Sequence, residues 1–128
     1  SEAMIWLSIA AGGALGPVSR YGVTLGVARL GVSGFPYATF LVNVLGSFCI
    51  GIVVAWLGGR EDINQALRPM IQVGFLGAFT TFSAFSLDAL LLIEQGRLAQ
   101  AGLYILVSVL VCLAACFIGL LAGRSLGF

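Results

Sequence analysis

Apolar residues in this sequence fall into four long runs, not into the spaced stripes of soluble amphipathic helices or the alternation of strands. The runs cover about residues 4–28, 37–57, 70–93 and 98–122. A helix that crosses a bilayer needs about 20 mostly apolar residues, so each run predicts a membrane-spanning helix. Runs of this length without alternation exclude the ~10-residue segments of a membrane β-barrel. Pro17 and Arg20 interrupt the first run, and the second and fourth carry no charge. The third contains Asp88 and a Gly/Thr/Ser stretch at its middle. The connections are short: Gly31 to Pro36, Gly58 to Asp62 ahead of a helix-starting Pro69, and Glu94 to Arg97. None can hold a second domain. Residues 1–128 therefore read as one all-α integral membrane domain of four transmembrane helices.

Composition enforces the same conclusion. Hydrophobic residues make up 60% of the chain and charged residues 9%, against about 25% charged in soluble domains. A small domain buries only about two-thirds of the surface its unfolded chain exposes, so the excess must face lipid. This excludes a soluble enzyme, a nucleic-acid module, a disordered chain and a disulfide-framed secreted domain. A net charge of +1 gives no attraction to a polyanion. The absence of histidine removes the usual general base, proton switch and zinc ligand. Cys49, Cys112 and Cys116 all lie in apolar runs and read as small packing residues. The first run is too long, and lacks the cleavage pattern, for a signal peptide. Arg60, Arg68 and Arg124 fall on one side of the membrane, Arg29 and Arg97 on the other. That bias is nearly absent. It fits either the weak signal of a small protein or a chain that inserts both ways up and pairs with an inverted copy.

Polar groups are costly in hydrocarbon, so their positions carry information. Thr39, Asn43 and Ser47 recur every four residues on the second run, and Gln100, Tyr104, Ser108 and Cys112 do so on the fourth. Each set lies along one helical stripe. Such groups can simply bond a neighbouring helix at about 0.6 kcal/mol each, but two ladders on two helices resemble the walls of a narrow polar pathway. Arg20 can snorkel to an interface or place a positive charge at a pathway mouth. Asp88 reads as an interfacial or capping carboxylate. The pairs Gly12/Gly16, Gly22/Gly26 and Gly119/Gly123 have the small-xxx-small spacing of close helix contacts.

The third run holds the most unusual segment, Gly74-Phe75-Leu76-Gly77-Ala78-Phe79-Thr80-Thr81-Phe82-Ser83-Ala84-Phe85-Ser86. Two glycines followed by two β-branched threonines favour a helix break between Gly77 and Thr81. A break in mid-membrane is tolerated where it is buried in protein or faces a cavity, and unwound carbonyls at such breaks bind cations in transporters. Phe82 and Phe85, three apart beside Ser83 and Ser86, share a face. They form either a packing surface or an array of positive ring edges able to meet an anion.

These residues carry a likeness. GPVSRYGV in the first run, NVLGSF in the second and above all GFLGAFTTFSAFS in the third resemble the Fluc (CrcB) family of fluoride channels, across essentially the whole chain. The resemblance implies a prokaryotic plasma (inner) membrane protein, multi-pass, whose third helix is broken near its middle. It implies an antiparallel dual-topology homodimer that passively exports fluoride through two pores. It also implies a structural sodium ion at the dimer centre, held by main-chain carbonyls at Gly77 and Thr80. By the same resemblance the fluoride pathway would use Phe82 and Phe85, the Asn43 amide, and Tyr104 and Ser108 on the fourth helix, with Arg20 near its aqueous entrance; Thr39 on the second-run ladder, Ser83 beside the phenylalanines and Cys112, which continues the fourth-helix track by spacing, join them as candidates. Cys112 departs from the hydroxyl expected at its position. The expected partners are fluoride, sodium, membrane lipid and a second, inverted copy. The competing reading, a small dual-topology multidrug/proton exchange transporter, needs a carboxylate near the centre of the first helix, and none is there. An enzyme lacks paired acids and an activated nucleophile.

Overall fold

The structure, a computed structural model, describes residues 1–60, 63 and 65–126. Glu61 and Asp62 of the second connection lie outside the described residues. The elements in chain order are α1 (Glu2–Arg29), α2 (Tyr37–Gly58), α3 (Leu67–Pro69), a π-helical segment π1 (Met70–Leu76), α4 (Gly77–Phe79), α5 (Phe82–Glu94) and α6 (Leu98–Ser125). The described residues form helices and connections only, with no strand. The third rod, Leu67 to Glu94, is interrupted at Thr80 and Thr81, inside the segment where Gly/Thr chemistry predicts a break. Pro17 leaves α1 continuous. Gly31 and Gly96 follow α1 and α5 with φ of +74° and +76°, a left-handed turn that glycine adopts without a steric penalty.

Among the described residues, three rods are long and apolar enough to cross a membrane by length and composition: Tyr37–Gly58, Leu67–Glu94 and Leu98–Ser125. The sequence pattern predicts four. α1 has the length, 28 residues, but its glycines, serines, Pro17 and Arg20 dilute its apolar character, and it falls outside that set. Large side chains such as Leu103, Leu106, Leu110, Leu113 and Phe117 on α6 are exposed in the single chain, as an apolar solvent requires.

Glycines set the packing. A β-carbon on Gly51 would overlap the Cys116 carbonyl, and one on Gly119 the Phe48 carbonyl. A methyl on Gly123 would stand 2.6 Å from Ala55 Cβ. Positions 48, 51 and 55 on α2 thus advance with 116, 119 and 123 on α6, and the two helices run parallel, nearly backbone to backbone. α1 rides on the third rod in the same way: β-carbons on Gly16 and Gly74 would lie 2.7 Å from the Phe75 and Ile9 carbonyls. Gly22 and Gly26, expected to make a third close contact, have nothing within 4 Å. At the end formed by the first and third connections, Ala89, Leu92, Ala101 and Tyr104 make a buried cluster under Phe35, Phe40 and Phe85.

Candidate functional site

The break is built by side chains that take over backbone partners. In an unbroken helix the Thr81 N–H would donate to the Gly77 carbonyl and the Ala84 N–H to that of Thr80. Instead the Thr81 N–H donates to Asn43 Oδ1 at 2.8 Å, while Asn43 Nδ2 donates to the Thr81 carbonyl at 3.1 Å. The side-chain amide thereby pairs with the peptide as a sheet neighbour would. Thr81, extended at φ −148° and ψ 114°, caps α5 by accepting the Ala84 N–H on Oγ1 at 3.1 Å. The carbonyls of Gly77 and Thr80 are thus parted from their helical donors. Thr80 Oγ1 turns back to donate to the Leu76 carbonyl at 3.1 Å.

This break opens into a groove of about 350 Å³ between α2, the third rod and α6. Asn43, Ser47, Gln72, Thr80, Thr81, Ser108 and Cys112 bring polar atoms to its wall, and Phe82 and Phe85 bring aromatic ones. Ser108 is 5% exposed and its Oγ has no hydrogen-bond partner. Helical serines in lipid ordinarily bond the preceding turn or a neighbouring helix, so a buried hydroxyl without a partner among the described residues, on a residue that lines the groove, is the site's most informative atom. Ser47 meets the Cys112 thiol across the groove. The lining carries no formal charge, so a groove without ions would be neutral but rich in dipoles.

An aromatic file leads from the break toward the first connection. Phe82 and Phe85 have ring centroids 5.6 Å apart, Phe85 and Tyr104 5.1 Å, and Tyr104 and Phe35 5.3 Å in an edge-on contact. Tyr104 is fully buried, and its hydroxyl donates to Asp88 Oδ2 at 3.2 Å. Asp88 thereby receives a hydrogen bond from the fourth helix in place of the capping role its position suggests.

Of the residues singled out in the sequence, Asn43, Gly77, Thr80, Phe82, Phe85, Ser108 and Cys112 all meet in the groove. The others stand outside its wall. Tyr104 lies behind Phe85, and Thr39 faces the Tyr104 hydroxyl. Ser83 shares a 3.4 Å contact with the Thr81 hydroxyl. Arg20 extends from α1 to the far side of the third rod, where Nη2 donates to the Ala78 carbonyl at 3.4 Å and Nε is buried without a partner. Ser47, marked in the sequence by its place on the second-run ladder, also lines the groove, whereas sequence reasoning misses Gln72. A glutamine inside an apolar run is itself a signal. Ile50 and Val109 also line the groove, and nothing in their apolar identity could have marked them.

Long apolar rods, one broken in mid-span around a polar groove, define a polytopic helical membrane protein. Residues 7–120 match the family described as CrcB-like protein, Camphor Resistance (CrcB), and the chain belongs to that family. It is 47% identical over 120 residues to the fluoride-specific ion channel FluC of Caulobacter vibrioides (strain NA1000 / CB15N), covering 93% of this chain and 94% of that protein. The protein of the same name from Agrobacterium fabrum is 46% identical over 118 residues, covering 92% and 94%. The one from Methylobacterium sp. (strain 4-46) is 53% identical over 98 residues, covering 77% and 78%. The chain is accordingly a multi-pass protein of a bacterial membrane.

Proposed function

We propose that this chain is a fluoride-selective passive channel, not an enzyme, and that it works as an antiparallel homodimer with two pores. The observation that carries the reading is the buried, unpartnered Ser108 hydroxyl on the wall of a neutral groove beside Phe82, Phe85 and Asn43; the fluoride-specific relatives support the choice of ion. Fluoride is small and tightly hydrated, so a dry pore must replace its water with donors. A hydroxyl, a carboxamide and the positive edges of phenyl rings do this without the deep well that a buried arginine would make. Conduction needs binding strong enough to admit the ion and weak enough to release it.

Phe82 is 78% exposed in the isolated chain, which fits a ring completed by a second copy. An inverted copy agrees with the nearly even distribution of arginine. α1 serves as the fourth span: its 28 residues rise about 42 Å, and it runs parallel to the third rod. A structural sodium ion fits the break, because the Thr81 and Ala84 N–H groups, which would occupy the Gly77 and Thr80 carbonyls in an unbroken helix, bond to side chains instead. Those carbonyl oxygens would hold it, and the bound ion would supply positive charge where the two copies meet.

The test is efflux from liposomes containing the purified chain. Fluoride should leave and chloride should stay, with no dependence on a proton gradient. Phe82→Ile and Phe85→Ile should each cut fluoride flux by about tenfold or more while dimers persist, given about 0.5–1.5 kcal/mol per lost aromatic contact and additional loss at the ion. Retained fluoride with the wild-type chain, or proton-driven release of an organic cation, would overturn the reading.

A further inference from the structure

The π-helical segment is the feature that the break does not explain. In α geometry Val73 would sit one turn beneath Gly77. Here the Gly77 N–H reaches back five residues to the Gln72 carbonyl, so Gln72 lies beneath Gly77 and Val73 is turned out, 58% exposed. Residues 72, 76 and 77 then share the face that lines the groove. π-helical turns disturb the ordinary ladder and are frequent at functional sites, where the extra residue re-aims a side chain. The side chain re-aimed here is a carboxamide, held at the level of an apolar run, and it has no hydrogen-bond partner among the described residues.

We infer that Gln72 is a further anion-contacting residue, a donor on the side of the break opposite Phe82 and Phe85. Side chains of a helix lean toward its N-terminus, so Gln72 extends from Gly77 back toward Leu67. That half of the groove also holds Ser47 and Cys112. Asn43 spends one of its amide N–H groups and its carbonyl oxygen on Thr81, whereas Gln72 keeps both N–H groups. It can therefore hold a small, hard, partly dehydrated monovalent anion after the aromatic pair and pass it toward the end of the bundle that bears Arg60, Arg68 and Arg124. The pathway would then have donors on both sides of the break instead of ending at it. The inference rests on the fluoride reading above.

The experiment is fluoride efflux and its concentration dependence in liposomes for the wild-type chain, Gln72→Met, Gln72→Asn and Gln72→Glu, with oligomeric state followed by size-exclusion chromatography. Loss of one good donor to an ion predicts about a tenfold fall for Gln72→Met, with half-saturation shifted to higher fluoride. Gln72→Asn should keep an intermediate rate, and Gln72→Glu should abolish flux by repelling the anion. All should assemble like the wild type. Gln72→Met conducting as the wild type would overturn the inference and leave the channel reading intact. So would Gln72→Glu conducting as well as or better than the wild type, which would make Gln72 a cation ligand. If Gln72→Met fails to assemble, the Asn and Glu variants decide between the same outcomes. Failure of the wild-type chain itself to release fluoride would remove the channel reading and this inference together.

Discussion

Replacing Ser108 by alanine separates function from stability. Ser108 is 5% exposed and its hydroxyl is without a partner among the described residues, and an unsatisfied buried polar group costs about 1–3 kcal/mol. Removing it deletes one oxygen and no intramolecular hydrogen bond, so Ser108→Ala should melt at the same temperature as the wild type or higher. Flux should move the other way. A hydrogen bond to an ion contributes about 1.5–3 kcal/mol, and each 1.36 kcal/mol on a barrier is about a tenfold change in rate. Where the bond is made at the limiting step, fluoride efflux falls by roughly 10- to 100-fold. The assay pairs liposome efflux with thermal unfolding in detergent on the same preparation. A lower melting temperature with undiminished flux would show that the hydroxyl is a structural bond satisfied by the second copy, and the central argument for the groove would fall.

Four more perturbations test the frame around it. Asn43→Leu removes the bonds at 2.8 and 3.1 Å that hold the break and lets the Thr81 N–H return to Gly77; flux should vanish, with about 1–2 kcal/mol lost in an unfolding titration. Gly51→Val would drive a side chain into the Cys116 carbonyl and should abolish assembly in size-exclusion chromatography. Gly58→Ala, with nothing within 4 Å, should stay within about 0.5 kcal/mol of the wild type. Methylmercury should block efflux through Cys112, a free thiol on the groove wall, in a Cys49→Ser background. Cys112→Ser should conduct and resist the block, and a block that persists in it would place the sensitive thiol elsewhere.

Period and composition made the helices legible, because an uncharged apolar run such as 98–122 admits few other structures. The break was legible for the same local reason: Gly77, Thr80 and Thr81 are poor helix formers. How the break is held was not. Asn43 reads in the sequence as one polar group on a stripe, and only the crossing of α2 with the third rod turns it into the partner of the Thr81 peptide. Arg20 reads in the sequence as either a snorkelling side chain or a charge at a mouth, and its hydrogen bond to the Ala78 carbonyl depends on a packing of α1 against the third rod that the sequence does not display. The π-helical register was invisible because it depends on which carbonyl each N–H reaches, a choice that propensity does not encode. Gly22 and Gly26 show the opposite failure. Their spacing suits a close contact, but spacing carries no information about whether a partner helix lies opposite.

In the proposed channel the break would let one short chain serve ions of both signs without placing a formal charge in the groove. At a helix interruption the preceding half presents carbonyls and the following half presents N–H groups, with partial charges of roughly half an electron at each end. Here Gly77 and Thr80 supply free carbonyls on one side of Thr81, while α5 begins at Phe82 on the other. Arg20 settles against the Ala78 carbonyl, offsetting the negative end of the first half from behind, where it adds no well to the groove. A formal charge in the groove would bind an anion too deeply to release it at a useful rate, whereas partial charges set back to back give shallow wells. The Asn43–Thr81 pairing keeps the two half-helices apart, and so sustains the dipoles on which the proposed conduction depends.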